Sequence, residues 1–253
     1  MTIKEIEMGR YKLKNPAFAG AEFTNGSDDF LVGPEAVEFG ARDGGILQSA
    51  REAIAFRREA NGKYAADRTQ ATRTGAIYFE KDGKFYAAFD DSTNPENNIV
   101  IARAAQGFEA HKANGRFLLP TTDPLVDRII KRAQNETGRF AEVPTNYPSE
   151  LSTERVDGKS QCGQDLRNKA ILGDVAESNS NMLNQRGYRV GSIWCLNPEI
   201  LVRIGVDGNF AEVRHVKLGD GNCDCLGNIY AASQFNYRGR SRGVRHAPEF
   251  VAA

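Results

Sequence analysis

The chain has 253 residues, 40% of them hydrophobic, enough to bury a core in one large domain or two modest ones, which excludes global disorder. Lysine plus arginine equals aspartate plus glutamate at 33 each, so net charge draws the chain to neither nucleic acid nor anionic lipid, and such binding would need a local patch. The start "MTIKEIEMGRYKLKN" lacks the apolar stretch of a secretory leader and no apolar run approaches a membrane span, so a soluble protein with no membrane partner is expected, cytoplasmic or, for a phage protein, in the virion.

In chain order, residues 1–45 read as an irregular arm, with Gly, Pro, Asp and Asn scattered through it. "GILQSAREAIAFRREANG" predicts a helix in which Ile46, Leu47, Ala50, Ala53 and Ile54 share a face and Gly62 is the stop. "AIYFEKDGKFYAAFD" predicts a β-hairpin turning at Asp82-Gly83. Two helices follow, over "ENNIVIARAAQGFEAHKANG" and "TTDPLVDRIIKRAQNETG". The first closes at Asn114-Gly115; the second is capped by Asp123, with Pro124 at its first position and Gly138 at its end. "RFAEVPTNYPSELSTERVDGKSQ" has the Pro and small polar residues of a linker. It places a boundary near residue 150 between an α+β region (1–150) and a helix-then-strands region (151–253), unless the two form one domain. "CGQDLRNKAILGDVAESNSNMLNQRG" reads as one broken helix or two short ones. "YRVGSIWCL", "EILVRIGV", "FAEVRHVKL" and "NIYAASQFNY" read as strands, the middle two as a hairpin through Asp207-Gly208. The fold class is α+β: antiparallel hairpins with several packed helices on one side and an irregular N-terminal arm.

No Walker pattern and no strand-linked G-x-G-x-x-G is present, so nothing points to a nucleotide, and no cofactor is expected. Without a secretory leader the four cysteines Cys162, Cys195, Cys223 and Cys225 are read as free thiols, not a disulfide framework, and their spacing, even with His215 or His246, is too irregular for structural zinc. "DGNCDC" starts like a calcium loop, but Cys225 stands where Gly belongs and Ala231 where a bidentate Glu belongs, so it reads as a polar turn. His111 reads as a helix C-terminal cation or neutral polar residue.

A thiol at a helix start, Cys162 in "KSQCGQDLRNKAI", is a candidate nucleophile, because a helix N-terminus lowers a thiol pKa. His215 in "RHVKLGDGN" would be its base, with Asn228 among the downstream orienting groups. This order resembles that of papain-like peptidoglycan-cleaving peptidases over residues 162–228. It lacks their Asp-Cys-Ser-Gly setting and the apolar Gly-Asp strand before the histidine, and a buried cysteine with a hydrogen-bonded histidine accounts for the same residues.

"QFNYRGRSRGVRH" gathers Arg238, Arg240, Arg242 and Arg245 beside Phe235 and Tyr237, a composition suited to phosphate contacts with base stacking or to a protein partner. The ending "SRGVRHAPEF" is similar to the Arg-Gly-Val-Arg close of some C-type-lectin-like modules; their tryptophan- and glycine-rich core is absent, so the likeness implies no site. Three functions follow, in order. The first is a non-enzymatic structural or assembly protein forming homo-oligomers with itself or other subunits, of the kind found in phage or viral particles. The second is a nucleic-acid-associated protein using the arginines, and the third a cysteine hydrolase using Cys162 and His215.

Overall fold

The computed structural model describes residues 11–12, 18, 21–60, 70–136, 138–143, 145, 150–194, 196–219, 228–232, 235 and 239–246. The first elements are β1 (Tyr11–Lys12), β2 (Glu22–Gly26), α1 (Gly33–Ala41), β3 (Ile46–Leu47) and α2 (Ala50–Ala60). Next come β4 (Gln70–Lys81), β5 (Lys84–Asp90), α3 (Ile99–Asn114), β6 (Leu118–Pro120), α4 (Pro124–Asn135), β7 (Phe140–Glu142) and β8 (Glu150–Ser152). The remainder are β9 (Arg155–Val156), β10 (Lys159–Ser160), α5 (Gln161–Gln164), α6 (Leu166–Leu172), α7 (Ala176–Gln185), β11 (Val190–Trp194), α8 (Pro198–Ile204), β12 (Phe210–Leu218), β13 (Asn228–Ala232) and β14 (Arg242–Arg245).

The expected α+β class is the observed one. β4 and β5 turn through Asp82 and Gly83, both at positive φ (54° and 75°), which the tight hairpin requires. They lie inside an eight-stranded sheet of order β7-β5-β4-β12-β13-β11-β8, with β6 and β13 sharing one side of β12. Every ladder in it is antiparallel except β11–β13, which is parallel. A second sheet, β1-β2-β14-β3, joins the two ends of the chain.

Helices cover both faces of the large sheet, not one. Ala76 and Tyr78 of β4 face a core with Ala53 and Ile54 of α2, Ile171 of α6 and Leu201 of α8. Ile77 and Phe79, pointing the other way, meet Ile99 and Val100 of α3 and Val126 and Ile129 of α4. β4 is accordingly buried without interruption from Gln70 to Phe79, the pattern of a strand covered on both sides.

Local chemistry sets the helix ends. Asn98 accepts from the amide of Ile101 at the start of α3, and Gly115 closes it at φ 73°. Asp123 accepts from the amides of Leu125 and Val126 ahead of Pro124 in α4. Three expectations are corrected. The arm holds α1, started by Pro34 and by Glu35, whose carboxylate accepts from the amide of Val32. The helix expected from residue 45 begins at Ala50, because Ile46 and Leu47 pair with β14 as β3. "EILVRIGV" is the helix α8, not a strand: Asn197 caps it, Pro198 opens it, and Gly205 at φ 92° ends it. The expected second hairpin is therefore a helix-to-strand turn, with Asp207 accepting from the amides of Asn209 and Phe210. The stretch read as a linker contributes β7 and β8 to opposite edges of the large sheet.

Candidate functional site

The basic C-terminal segment is built into the fold. β14 lies between β2 and β3, and its buried Arg242 reaches back across the sheet. There its guanidinium donates to the Thr24 carbonyl at 2.9 Å and sits 4.4 Å from the centre of the Phe56 ring. Gly26 makes room for it, since a Cβ there would stand 2.8 Å from Arg242 Nη2. Burial and the neighbouring charge of Arg240 bring the Arg242 pKa down to about 10. Arg240 donates to the Ser27 carbonyl at 3.0 Å and lies over Phe30, and Arg245 donates to the Asp43 carbonyl at 2.7 Å. Phe235 is a fully buried plug, not a stacking platform. It packs edge-on against Phe117, and a Cβ on Gly107 of α3 would come within 2.8 Å of its ring. Tyr237 and Arg238 lie outside the described residues.

Where β14 ends, its neighbour His246 enters a buried charged cluster. β4 carries a bulge here: Gly75 faces His215 of β12, yet Ala71 already faces Lys217, so four steps of β4 oppose two of β12. The bulge releases Arg73 from the ladder toward α2. Its guanidinium grips Glu52 with two bonds, Nη1–Oε2 at 2.6 Å and Nη2–Oε1 at 3.0 Å, and donates to the Leu47 carbonyl at 2.8 Å. His246 Nε2 lies 3.0 Å from Glu52 Oε1. Burial pushes the Glu52 carboxyl up, but the charge of Arg73 and the bonds from His246 and Arg73 outweigh it and hold the pKa well below the usual carboxylate range. Glu52 also completes a capping box on α2, accepting from the Ser49 amide at 2.6 Å while Ser49 Oγ accepts from the Glu52 amide. The local pattern Ser49-Ala-Arg-Glu52 could have disclosed this helix start; nothing local marks Arg73 or His246 as partners.

A second buried carboxylate, Glu212 of β12, is treated differently. Neither oxygen has a hydrogen-bond partner among the described residues, and Arg214 Nε stands 3.4 Å away. Burial dominates over the Arg214 charge and pushes its pKa up to about 7. The two buried histidines are neutral. Burial, then the charge of Lys217, brings His215 down to about 3, and burial with the charges of Arg214 and Lys217 brings His111 down to about 4.

The expected nucleophile–base pair is not assembled. Cys162 is buried against Leu151 of β8, and Asn168 Nδ2 donates to its Sγ at 3.2 Å. His215 sits on β12 with Nε2 against the backbone of Thr72 and its ring 5.8 Å from that of Phe235. β13 and β11 separate β12 from β8, so strand spacing alone puts these sites about 14 Å apart. The thiol pKa also moves against expectation. Burial raises it to about 11, with the charges of Asp165 and Glu177 adding to the rise, and α5 is a single turn with too small a dipole to reverse this. Asn228 opens β13 opposite Ser192. The calcium-like stretch and the other three cysteines lie outside the described residues. Among the described residues no helix is long and apolar enough to cross a membrane.

No protein-family profile matches the chain, and no curated protein is similar to it. Among solved structures it is similar to a chain from a study of how the C-type lectin fold accommodates massive sequence variation in Nanoarchaeota. The two share 13% sequence identity over 88% of this chain and 95% of that one, with a TM-score of 0.54. That likeness concerns the fold alone.

Proposed function

We propose that this protein is a non-catalytic binding module that works by assembly, joining copies of itself or other subunits into a multi-copy structure such as a virion or other particle. One observation carries the reading. The charged side chains of the C-terminal segment and its neighbours act inward, on carbonyls and carboxylates of the same chain, and so hold a scaffold. Partner recognition then falls to the mixed-charge outer surface, whose balance of acids and bases suits self-association. The Nanoarchaeota protein's fold accommodates massive sequence variation, and a division between residues that hold the fold and residues that meet a partner serves that kind of scaffold. Nucleic-acid binding loses support from the same observation, since Arg240, Arg242 and Arg245 are fastened to the protein itself.

The test is the mass of the full chain in solution by light scattering, over a range of concentrations, with and without single-stranded nucleic acid. A mass above that of one chain, unchanged by nucleic acid, is expected. A monomer at every concentration overturns the reading. A salt-sensitive rise in mass only on adding nucleic acid replaces it with the second.

A further inference from the structure

We propose that Arg116 is a proton-operated latch on α8: while Glu212 is protonated the guanidinium holds the Ile204 carbonyl, and when Glu212 gives up its proton Arg116 turns to the carboxylate and releases the end of the helix. The sheet register brings these groups together. Glu212 of β12 pairs with Leu118 of β6, and the Val213 amide donates to the Phe117 carbonyl at 2.9 Å, so the next residues in line, Arg214 and Arg116, come opposite one another. Alternate residues of a strand share a face, which puts Glu212, Arg214 and Arg116 on the side where Leu118 meets the core that holds Leu201 and Ile204 of α8. Glu212 lies on the diagonal from Arg116, a separation that a long side chain spans.

Arg116 holds α8 weakly. Its Nη1 donates to the Ile204 carbonyl at 3.5 Å, the outer limit of a hydrogen bond. That carbonyl belongs to the last residue of the helix, where Gly205 turns the chain and the amides of Gly205 and Val206 close back on the carbonyls of Val202 and Leu201. Arg116 is exposed, so its guanidinium can swing without disturbing the core. An ionised carboxylate offers it a full opposite charge, which a carbonyl lacks.

The surroundings of Glu212 leave that role to Arg116. On its own strand Arg214 stands 3.4 Å away, outside hydrogen-bond alignment, and only 11% of its side chain is exposed. β4 places Tyr78 directly opposite and Glu80 two residues on, with Glu80 accepting from the Gly83 amide. On α8, Glu199 and Arg203 are exposed to solvent. Burial, opposed by the charge of Arg214, the nearby Phe117 amide and the charge of Arg116, holds the carboxyl at about 7. Loss of the proton near neutral pH therefore creates a buried charge whose nearest arginine is misaligned. Arg116 and Arg214 also face each other as like charges across the two strands, an arrangement that an ionised Glu212 beside both relieves.

The test follows the full chain by NMR between pH 6 and pH 8. In the wild type the Arg116 Nε–H signal should move with the same midpoint as the Glu212 carboxyl carbon. The amides of Gly205 and Val206, corrected for the intrinsic pH dependence of exchange, should exchange about fivefold faster at pH 8 than at pH 6, the loss of one ordinary hydrogen bond. Glu212→Gln should keep them slow at both values. Arg116→Gln should leave the Glu212 titration in place and make the two amides exchange fast throughout, a result that a general loss of stability on ionisation of Glu212 does not produce. An Arg116 signal that stays still while Glu212 titrates overturns the latch. So does a Glu212 that keeps one protonation state across the range, or an R116Q variant whose α8 amides answer to pH as the wild type's do.

Discussion

Glu52 of α2 and Glu212 of β12 are both buried carboxylates, and their environments drive them in opposite directions. Glu52 receives a two-bond grip from Arg73, a capping amide from Ser49 and a contact from His246, and stays ionised. Glu212 has Arg214 of its own strand at 3.4 Å, outside hydrogen-bond geometry, and the weaker charge of Arg116, and holds its proton up to about neutral pH. Burial penalises the charge in both cases. What separates them is the number and alignment of donors, which in turn depends on the bulge that frees Arg73 and has no counterpart at Arg214.

The strongest way to break this comparison is Arg73→Leu. It leaves Glu52 buried without its main partner and should cost about 4 kcal/mol, read from the midpoint of urea unfolding at pH 7. In the wild type the folded carboxyl titrates below its ordinary value of 4.5, so the stabilisation from this cluster is complete above pH 4.5 and declines as the pH falls below it. Next in size is Glu212→Gln, with the opposite sign. The unfolded chain releases this proton from pH 4.5 upward while the folded protein keeps it until about pH 7, so Glu212 destabilises the fold increasingly across that window. The glutamine variant should match the wild type at pH 4 and exceed it by about 3 kcal/mol at pH 8; equal stability at both values would mean that Glu212 ionises freely. The smallest effect is expected from Ser49→Ala, which removes one half of the capping box. A loss of about 1 kcal/mol in thermal unfolding is predicted, without a change in its pH dependence, since Arg73 still holds the carboxylate.

The contrast also marks what could be read along the chain. Asp82-Gly83, Asn98, Asp123-Pro124 and Gly115 act on neighbours a few residues away, and the elements they define lie where local chemistry puts them. The short apolar run of α8 fits a strand or a buried helix equally well; Asn197-Pro198 and Gly205 are the deciding signals. β3 has no local signal that separates it from the helix that follows, because its partner, β14, lies about two hundred residues away. The candidate sites depend on distant partners in the same way. Arg240, Arg242 and Arg245 look free in sequence, since their carbonyl partners are at positions 27, 24 and 43. Cys162 and His215 look like a pair only until the sheet order sets two strands between them.

Because β14 lies between β2 and β3, those two early strands cannot be joined into one sheet until residue 245 has been synthesised. A growing chain must therefore carry the β14-facing edge of β2 unpaired while every strand of the large sheet is being made, and this sheet cannot close before those strands exist. A ribosome stalled shortly before that point would hold a nascent protein with its large sheet encoded and the β1–β2 pair still open along one edge.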